Sequence, residues 1–314
     1  MKSLANKQPL PQEHFYKICV VGGGMTGAIM ALLLKRSKLF NTSDIAWIMP
    51  NIKIPNDLRT TFYNEESIEL LSKLNIWSDL KKSDYTHVKK IQVFGKKNAT
   101  PLIWDNSNKD KNFGAVVKNK VMLDSIFSKL NDIKKYENFV TNTTCDNFER
   151  TLYLNDKHYV KTNLVLCADG KNSQLRKLLL IKTILKKTGH IAISGFLEQS
   201  KDHEFTATQA FTKLGPIGLL PFENKNKINF VLSVDETIYK NISSKNNPEQ
   251  YICEKLENFF SNLNLNFKPI KKINNLKNNL SSWPLDLNFI INPTANRAVL
   301  IGDAAHSIHP LAGQ

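Results

Sequence analysis

The chain has 314 residues, of which 41% are hydrophobic and 23% charged, and this suits an ordinary globular protein of two interlocked domains. The formal net charge is +15, but the lysines are scattered among asparagines and form no basic stripe interleaved with aromatic residues. We therefore expect no nucleic-acid partner, and at most a peripheral attraction to an anionic membrane surface.

The chain begins with a polar stretch, residues 1–17, that does not resemble a signal peptide. The apolar run over residues 18–34 contains glycines and is short for a membrane span. Instead the sequence predicts a buried strand over residues 16–21 and a helix over residues 28–35. Between them lies a run with the pattern G-x-G-x-x-G: Gly22, Gly23, Gly24, Met25, Thr26 and Gly27.

In a strand–turn–helix context this glycine pattern predicts dinucleotide binding. Gly22 permits the tight turn, Gly24 lets backbone N–H groups approach a pyrophosphate, and Gly27 lets the helix press on the strand. The positive end of the helix then faces the phosphates, and Met25 and Thr26 lie in the glycine turn before it. We predict that these five residues bind the cofactor.

The next strand, predicted over residues 45–48, lacks the acid expected at its end. In dinucleotide-binding folds a Glu or Asp there accepts hydrogen bonds from the adenosine ribose. Here Met49 and Pro50 follow, and neither side chain offers a carboxylate. We expect either a reduced nucleotide affinity or compensation by another group, with Asp57 in the following loop as one candidate.

Two later apolar strands, over residues 163–168 and 298–301, each deliver an acid into a turn. Ser173 is placed to cap the helix after the first of them. A carboxylate at the end of a strand can reach a ligand hydroxyl. The residues at these turns are Asp169, Gly170, Gly302 and Asp303, and the dipeptide Asp169-Gly170 alone would predict only an ordinary β-turn.

No metal site is expected. Asp303, His306 and His309 have i, i+3, i+6 spacing, but the third side chain would fall off a helical face. The four cysteines share no metal or disulfide spacing. Cys19 and Cys167 lie in apolar runs, where cysteine behaves as a small buried hydrophobe, so we expect a reducing compartment, the cytoplasm.

The ordered motifs resemble those of the flavin-dependent aromatic hydroxylases, and the segment from Gly302 to Gln314 is most similar to the branch that hydroxylates ubiquinone precursors. The resemblance implies that Asp303 binds the ribityl-side hydroxyls of FAD, with Pro310 and Gly313 in the same cofactor-binding segment. It places Asp169 and Gly170 by the pyrophosphate and the nicotinamide path, and Gly302 beside Asp303 among the cofactor-binding residues. The resemblance also implies that NAD(P)H binds only transiently, which agrees with the absence of a second G-x-G-x-x-G in the sequence.

The resemblance also bears on the roles of two basic residues, Arg59 and Lys120. Arg59 matches an arginine that contacts the cofactor, and we expect it near the phosphates; without the resemblance, a surface ion pair would be the default. Lys120 stands where the family usually has arginine. Lysine is a point charge and cannot supply a bidentate fork.

From residue 190 to 235 the pattern turns to strands, and residues 211–222 resemble a segment of the family that covers the flavin and walls the substrate pocket. The family often has a polar or basic residue where Ala210 stands. The predicted lining would suit a prenylated phenol, although the same apolar residues would serve equally as plain core. These residues are Leu219, Leu220, Pro221 and Phe222.

The expected fold class is α/β, with a discontinuous Rossmann-like FAD-binding domain and a second, mixed-sheet α+β substrate domain. The FAD-binding domain is predicted over residues 1–85, 112–185 and 283–314, and the substrate domain over residues 86–111 and 186–282. No side chain is assigned to catalysis, because in this family the flavin does the chemistry.

The resemblance implies a monooxygenase that hydroxylates the ring of a polyprenylated phenol in ubiquinone biosynthesis, using NAD(P)H and O₂ through a flavin C4a-hydroperoxide. Other ubiquinone-biosynthesis proteins are expected partners, and the inner face of the cytoplasmic membrane is a second expected location. Two alternatives stay open: an FAD-dependent hydroxylase or reductase of the same fold with another substrate, and a non-catalytic paralogue within a biosynthetic complex. The family continues beyond Gln314 into a glycine-rich helix start, so we expect the 314-residue chain alone to bind FAD weakly and not to hydroxylate.

Overall fold

The computed structural model describes residues 14–50, 59–107, 111–155, 158–270 and 280–307. Within them the helices are α1 (Met25–Arg36), α2 (Glu65–Lys73), α3 (Asn119–Ser128), α4 (Gln174–Leu178), α5 (Glu236–Ser243) and α6 (Pro248–Phe259). The strands are β1 (His14–Val21), β2 (Ile45–Met49), β3 (Thr60–Asn64), β4 (Tyr85–Val88), β5 (Lys90–Phe94), β6 (Leu102–Asp105), β7 (Gly114–Lys118), β8 (Lys134–Glu137), β9 (Val140–Cys145), β10 (Arg150–Leu154), β11 (Tyr159–Cys167), β12 (Ile184–Lys186), β13 (His190–Gln199), β14 (Thr206–Phe211), β15 (Pro216–Pro221), β16 (Lys227–Asp235), β17 (Phe267–Pro269), β18 (Leu280–Pro284), β19 (Leu287–Phe289), β20 (Thr294–Ala295) and β21 (Ala298–Leu300).

The described residues fall into two compact units. Those of the first unit lie within Met1–Lys53, Ile126–Ile184 and Asn288–Ser307, and those of the second within Ile54–Ser125, Leu185–Leu287 and Ile308–Gln314.

The two units divide the chain differently from the domains predicted from the sequence. Residues 59–85, 112–125 and 283–287, which we assigned to the FAD-binding domain, belong to the second unit. The reason is strand pairing: β3 and β4 both pair with β7 in a three-stranded antiparallel sheet, and β18 pairs with β13. Which of these segments serve FAD and which the substrate stays a prediction.

The first unit is built on a parallel sheet in the strand order β21-β11-β1-β2-β8. Helix α1 connects β1 to β2 on one side of β1, whereas β11 lies on the other side. This reversal of strand order is the topological switch point at which doubly wound α/β folds bind ligands. The predicted Rossmann-like α/β class is confirmed.

The core of the first unit consists largely of apolar side chains from these parallel strands. Cys19 and Cys167 are among them, each fully buried and with a free thiol. Burial raises the pKa of both thiols above the usual range of cysteine. Both residues therefore pack as small apolar side chains, as the sequence predicted.

The second unit is built on a mixed sheet in the order β17-β13-β16-β15-β14-β5-β6, in which the β14–β5 pair is parallel and its other pairs are antiparallel. Side chains of α5 and α6 pack on one face and form a helix-side core with the sheet. A second group of buried side chains, called here the Phe196–Phe222 cluster, consists of Val88, Val116, Phe196, Leu220 and Phe222.

Candidate functional site

Three loops leave the same edge of the parallel sheet in the first unit. Val21, Cys167 and Leu300, the last residues of β1, β11 and β21, are register partners. Ala168 N donates to Val21 O at 2.7 Å, and Ile301 N donates to Cys167 O at 2.9 Å. The glycine fingerprint and the two acid-bearing turns, which the sequence predicted separately, therefore begin at neighbouring strand ends.

Gly22 makes the tight turn out of β1. Its φ is +128°, and a β-carbon here would overlap the carbonyl oxygen of Ala168. The Gly22 carbonyl oxygen accepts a hydrogen bond from the buried Trp47 indole at 2.8 Å. A β-carbon at Gly27 would overlap this same carbonyl, so α1 packs on the turn only because Gly27 has no side chain. Both glycines have the steric roles that the sequence predicted.

The start of α1 is open to a ligand. Gly24 is the N-cap and has no side chain with which to cap the helix, and a β-carbon on Gly24 would meet nothing within 4 Å. The positive helix end and the space beside Gly24 suit a pyrophosphate. Met25 and Thr26 stand in the first turn, and the Thr26 hydroxyl would lie 2.7 Å from a β-carbon on Gly302. The structure thus brings two separately predicted site residues, Thr26 and Gly302, together.

The end of β2 carries Met49, whose Cβ lies 3.1 Å from the place of a β-carbon on Gly23. A thioether therefore occupies the position of the expected ribose acid, and Asp57 lies outside the described residues. The neighbouring strand β8 ends in Glu137, the register partner of Met49. Register partners project from the same face of a sheet. Glu137 thus places an exposed carboxyl group beside Met49, which sequence reasoning missed because residues 134–137 lack an apolar strand pattern.

The two carboxylate oxygens of Asp169 differ in their hydrogen bonding. Oδ2 accepts a hydrogen bond from Leu175 N at 3.0 Å and so anchors the start of α4. Oδ1 is buried and has no hydrogen-bond partner among the described residues. A buried oxygen without a partner is costly, so this atom suits a ligand hydroxyl or a water. Gly170 follows with φ +83°, and Ser173 Oγ accepts from Arg176 N, which confirms the predicted cap.

Arg176 joins the two acid-bearing turns. Its buried guanidinium donates from Nη1 to the Ala304 carbonyl at 2.8 Å and from Nη2 to the Lys171 carbonyl at 2.8 Å. Gly302 turns the chain with φ +59°, and Asp303 beside it is exposed. The sequence alone assigned Arg176 no role, since nothing local shows that β21 lies next to β11.

The first unit therefore offers a cradle that fits FAD. A glycine turn without side chains leads into an uncapped helix, and Asp169 and Asp303 stand at the two neighbouring strand ends. Pro310 and Gly313, predicted to belong to the same site, lie outside the described residues, as does His309. Within the described part of the chain, no group of three or more His, Cys, Asp or Glu side chains could hold a metal ion.

The two basic residues singled out from the sequence belong to the second unit. Arg59 precedes β3, is exposed, and its carbonyl accepts a hydrogen bond from Asn119 N at 3.0 Å. Lys120, in the first turn of α3, pairs with Asp124 at 2.6 Å on the helix surface. A contact between Arg59 and the cofactor phosphates stays a prediction.

The predicted substrate-pocket residues divide between two clusters. Leu220 and Phe222 belong to the Phe196–Phe222 cluster, in which the rings of Phe196 and Phe222 lie 4.7 Å apart. Leu219 instead belongs to the helix-side core, because successive residues of a strand point to opposite faces. Pro221 ends β15 and is buried. Its register partner Ile228 belongs to the helix-side core, so Leu219 and Pro221 lie on the face opposite to Leu220 and Phe222.

Gln209 of β14 is a further polar residue that sequence reasoning missed. Its register partner is Gly218, and Oε1 would lie 3.7 Å from a β-carbon there. Because Ala210 belongs to the helix-side core, Gln209 projects from the face on which Leu220 lies. The Gln209 side chain is partly buried and makes no hydrogen bond within the described residues. A partly buried amide of this kind suits a polar group of a ligand.

The family described as "FAD binding domain" matches residues 16–314, and the chain therefore belongs to this FAD-binding family. It is similar to the ubiquinone biosynthesis monooxygenase COQ6, mitochondrial, of Dictyostelium discoideum, with 24% identity over 99% of this chain and 75% of that protein. The protein of the same name from Caenorhabditis elegans is 25% identical over 96% of this chain and 76% of its own length.

Solved structures show the same fold. The chain superposes on pqsL, a probable FAD-dependent monooxygenase from Pseudomonas aeruginosa, with a TM-score of 0.76 and 14% identity over 96% of this chain and 81% of that one. For p-nitrophenol 4-monooxygenase PnpA from Pseudomonas putida the TM-score is 0.71, with 14% identity over 96% and 76%. The predicted fold class is thus confirmed. In the described part of the chain, no helix is long and apolar enough to cross a membrane.

Proposed function

We propose that the chain is an FAD-dependent monooxygenase that hydroxylates the aromatic ring of a prenylated phenol in ubiquinone biosynthesis, with NAD(P)H and O₂ as co-substrates. The observation that carries the proposal is the convergence of the glycine fingerprint and two acids at three adjacent strand ends. Membership of the FAD-binding family and the similarity to ubiquinone biosynthesis monooxygenases support the cofactor and the substrate class.

Each residue of the cradle has a distinct task. The first-turn N–H groups after Gly24 bind the pyrophosphate, because they lie at the positive end of α1 and Gly24 has no side chain to cover them. Asp303 accepts hydrogen bonds from the ribityl-side hydroxyls, and Asp169 Oδ1 accepts one more from the cofactor or from an ordered water. Glu137 takes the place of the missing acid at Met49 and accepts from the adenosine ribose.

Bound FAD supplies the redox chemistry: it takes electrons from NAD(P)H and activates O₂, so that one oxygen atom enters the ring and the other leaves as water. The second unit supplies substrate orientation and a dry surface. The Phe196–Phe222 cluster packs against the apolar part of the phenol, while the Gln209 amide binds an oxygen substituent of the ring. No proton carrier is assigned among the described residues.

The setting of the enzyme is part of the proposal. Three of the four free cysteines are buried, which suits a reducing compartment such as the cytoplasm. A prenylated substrate favours peripheral contact with the inner face of the cytoplasmic membrane, and other ubiquinone-biosynthesis proteins are the proposed partners.

The test uses the full-length protein with added FAD. We expect a flavin absorption spectrum, NAD(P)H oxidation stimulated by a prenylated phenol, and a product heavier by one oxygen atom. Gln209→Leu lowers kcat/KM for the phenol by about tenfold or more, because an unpaired polar group remains in the complex. Gln92→Leu, the same change on the opposite sheet face, is the matched control.

Two outcomes would reject the proposal. A protein that binds no flavin, even with excess FAD, would be a non-catalytic paralogue. A flavoprotein stimulated by a small phenolic acid but by no prenylated phenol would be a hydroxylase of another substrate.

A further inference from the structure

The edge strand β6 exposes three large apolar side chains in succession. Leu102 is 66% exposed, Ile103 51% and Trp104 50%. β6 ends the strand order of the large sheet in the second unit and pairs with β5. Large apolar side chains grouped at an edge normally have a binding role or are a liability for aggregation.

Strand register assigns these side chains to two different faces. Trp104 is the partner of Ile91, and Leu102 is the partner of Val93. Ile91 packs against the Phe196–Phe222 cluster, so Leu102 and Trp104 project from the face of that cluster. Ile103 pairs with Gln92 and projects from the opposite face.

The face that carries Trp104 remains apolar across the adjoining strands. Ile91 of β5 is the partner of Ala207 in β14, and both pack against the Phe196–Phe222 cluster, which contains Leu220. A line of apolar side chains, called here the apolar track, therefore runs from the cluster to the sheet edge. It consists of Leu220, Ala207, Ile91, Val93, Leu102 and Trp104.

The opposite face of the same strands carries polar side chains near the sheet edge, whereas Phe94 at the end of β5 belongs to the helix-side core. Gln92 Nε2 donates to Thr208 Oγ1 at 2.8 Å, and Lys90 pairs with Asp105 at 3.5 Å. An edge strand in water normally shows its polar residues on any uncovered face. The arrangement at β6 is different, because the exposed apolar residues Leu102 and Trp104 continue a buried apolar cluster.

We propose that the apolar track binds the polyprenyl tail of the substrate, an inference that rests on the proposed function. From β15 to β6 the track crosses three strand spacings of about 4.8 Å, roughly 14 Å in all. A phenol ring placed at Gln209 and Leu220 directs its tail across Ile91 towards Trp104 at the sheet edge. Burial of the tail against these side chains removes apolar surface from water and favours long-chain substrates.

The experiment measures binding of phenols with no, a short and a long prenyl chain to the full-length, FAD-loaded protein. Trp104→Glu places a charge on the track and raises the Kd of the long-chain phenol about tenfold, whereas the Kd of the unprenylated phenol stays unchanged. Ile103→Glu is the matched control, since Ile103 lies one residue away with similar exposure on the other face, and it changes neither Kd. Unchanged thermal midpoints show that both variants fold.

Several results would overturn the inference. If the wild-type protein binds prenylated phenols but Trp104→Glu and Ile103→Glu change their Kd equally, the apolar track does not bind the tail. The proposed function would still stand. If Trp104→Glu only dissociates a dimer or only releases the protein from anionic lipid vesicles, the edge binds a second copy or a membrane instead. If the wild-type protein binds no phenol of any chain length, both the proposed function and the inferred role of the apolar track are rejected.

Discussion

Gly22 presses against the backbone of Ala168, so that a β-carbon on Gly22 would overlap the Ala168 carbonyl oxygen. The first residue of the glycine fingerprint thus fits against the turn that leads to Asp169. Gly22 also has φ +128°, a conformation that a residue with a side chain rarely adopts. The closeness of the two loops therefore depends on this glycine.

Gly22→Ala is expected to destabilise the fold as well as cofactor binding. The added methyl group would meet backbone atoms that cannot move aside, and the left-handed φ adds strain, so we expect a loss of about 3 kcal/mol in the free energy of unfolding. Gly24→Ala is the matched control, because its β-carbon would meet nothing within 4 Å. It should cost at most about 1 kcal/mol of stability but weaken FAD binding where the pyrophosphate approaches. Chemical denaturation and FAD titration separate the two effects; equal losses of stability would contradict the steric argument.

Replacing Asp303 and replacing Asp169 should have different effects on the stability of the protein. Asp303 is exposed, and its carboxylate accepts no hydrogen bond from the other described residues. Asp303→Ala should therefore weaken FAD binding by about tenfold or more, the loss of a charge-assisted hydrogen bond, with little change in stability. Asp169→Ala also removes the acceptor for Leu175 N, so it should cost about 1 kcal/mol of stability in addition to affinity. Thermal melts without FAD and titrations with FAD measure the two quantities. A large loss of stability in Asp303→Ala would count against its assignment as a ligand residue.

Arg176 should matter for stability even though it is not predicted to touch the cofactor. Its guanidinium holds the carbonyls of Ala304 and Lys171 from one buried position. Arg176→Lys keeps the charge but cannot span both carbonyls, so we expect a loss of about 2 kcal/mol in the free energy of unfolding and weaker FAD binding. Arg297→Lys is a comparison at an arginine that is only partly buried, and it should have a smaller effect. If Arg176→Lys binds FAD normally, the link between the two turns is not needed to place Asp303.

The local parts of the site could be predicted from the sequence because they depend on local patterns. The glycines of the fingerprint, the cap at Ser173 and the acids at strand ends each need only a short run of residues. Arg176 and Glu137 could not be predicted in this way. Their roles depend on which strands become neighbours, β21 beside β11 and β8 beside β2, and a single sequence does not show the order of strands in a sheet.

The positions of the predicted substrate-pocket residues also could not be predicted from the sequence alone. Leu219, Leu220 and Phe222 are all apolar and all buried, so no alternation of polar and apolar residues distinguishes the two faces of β15. A strand buried on both sides lacks the pattern that predicts which face a residue occupies. Only the register with β14 and β16 separates Leu219 from Leu220 and places Gln209 beside Gly218.

The environment of His203 leads us to predict how the stability of the second unit depends on pH. The ring is buried: Nδ1 accepts a hydrogen bond from Phe205 N at 3.1 Å, and the Asn224 carbonyl lies 3.0 Å from Nε2. This pairing requires a neutral ring with its proton on Nε2. Burial lowers the pKa of His203, although the Asn224 carbonyl and the charge of Asp202 oppose the shift. Just below the ordinary pKa of histidine, His203 is therefore neutral in the folded state and protonated in the unfolded state.

The sign of the pH effect follows from this difference. Above a pH of about 6.5, the ordinary pKa of histidine, His203 is neutral in both states and its stabilising effect is complete. As the pH falls from there to the lower folded pKa, protonation favours the unfolded state, so the free energy of unfolding decreases and then levels off. His203→Asn removes the titrating ring while Oδ1 can still accept from Phe205 N. Denaturation curves at about pH 7.5 and about pH 5.5 should show a smaller acid-side loss in this variant than in the wild-type protein. An identical loss in both would mean that His203 is not the group responsible.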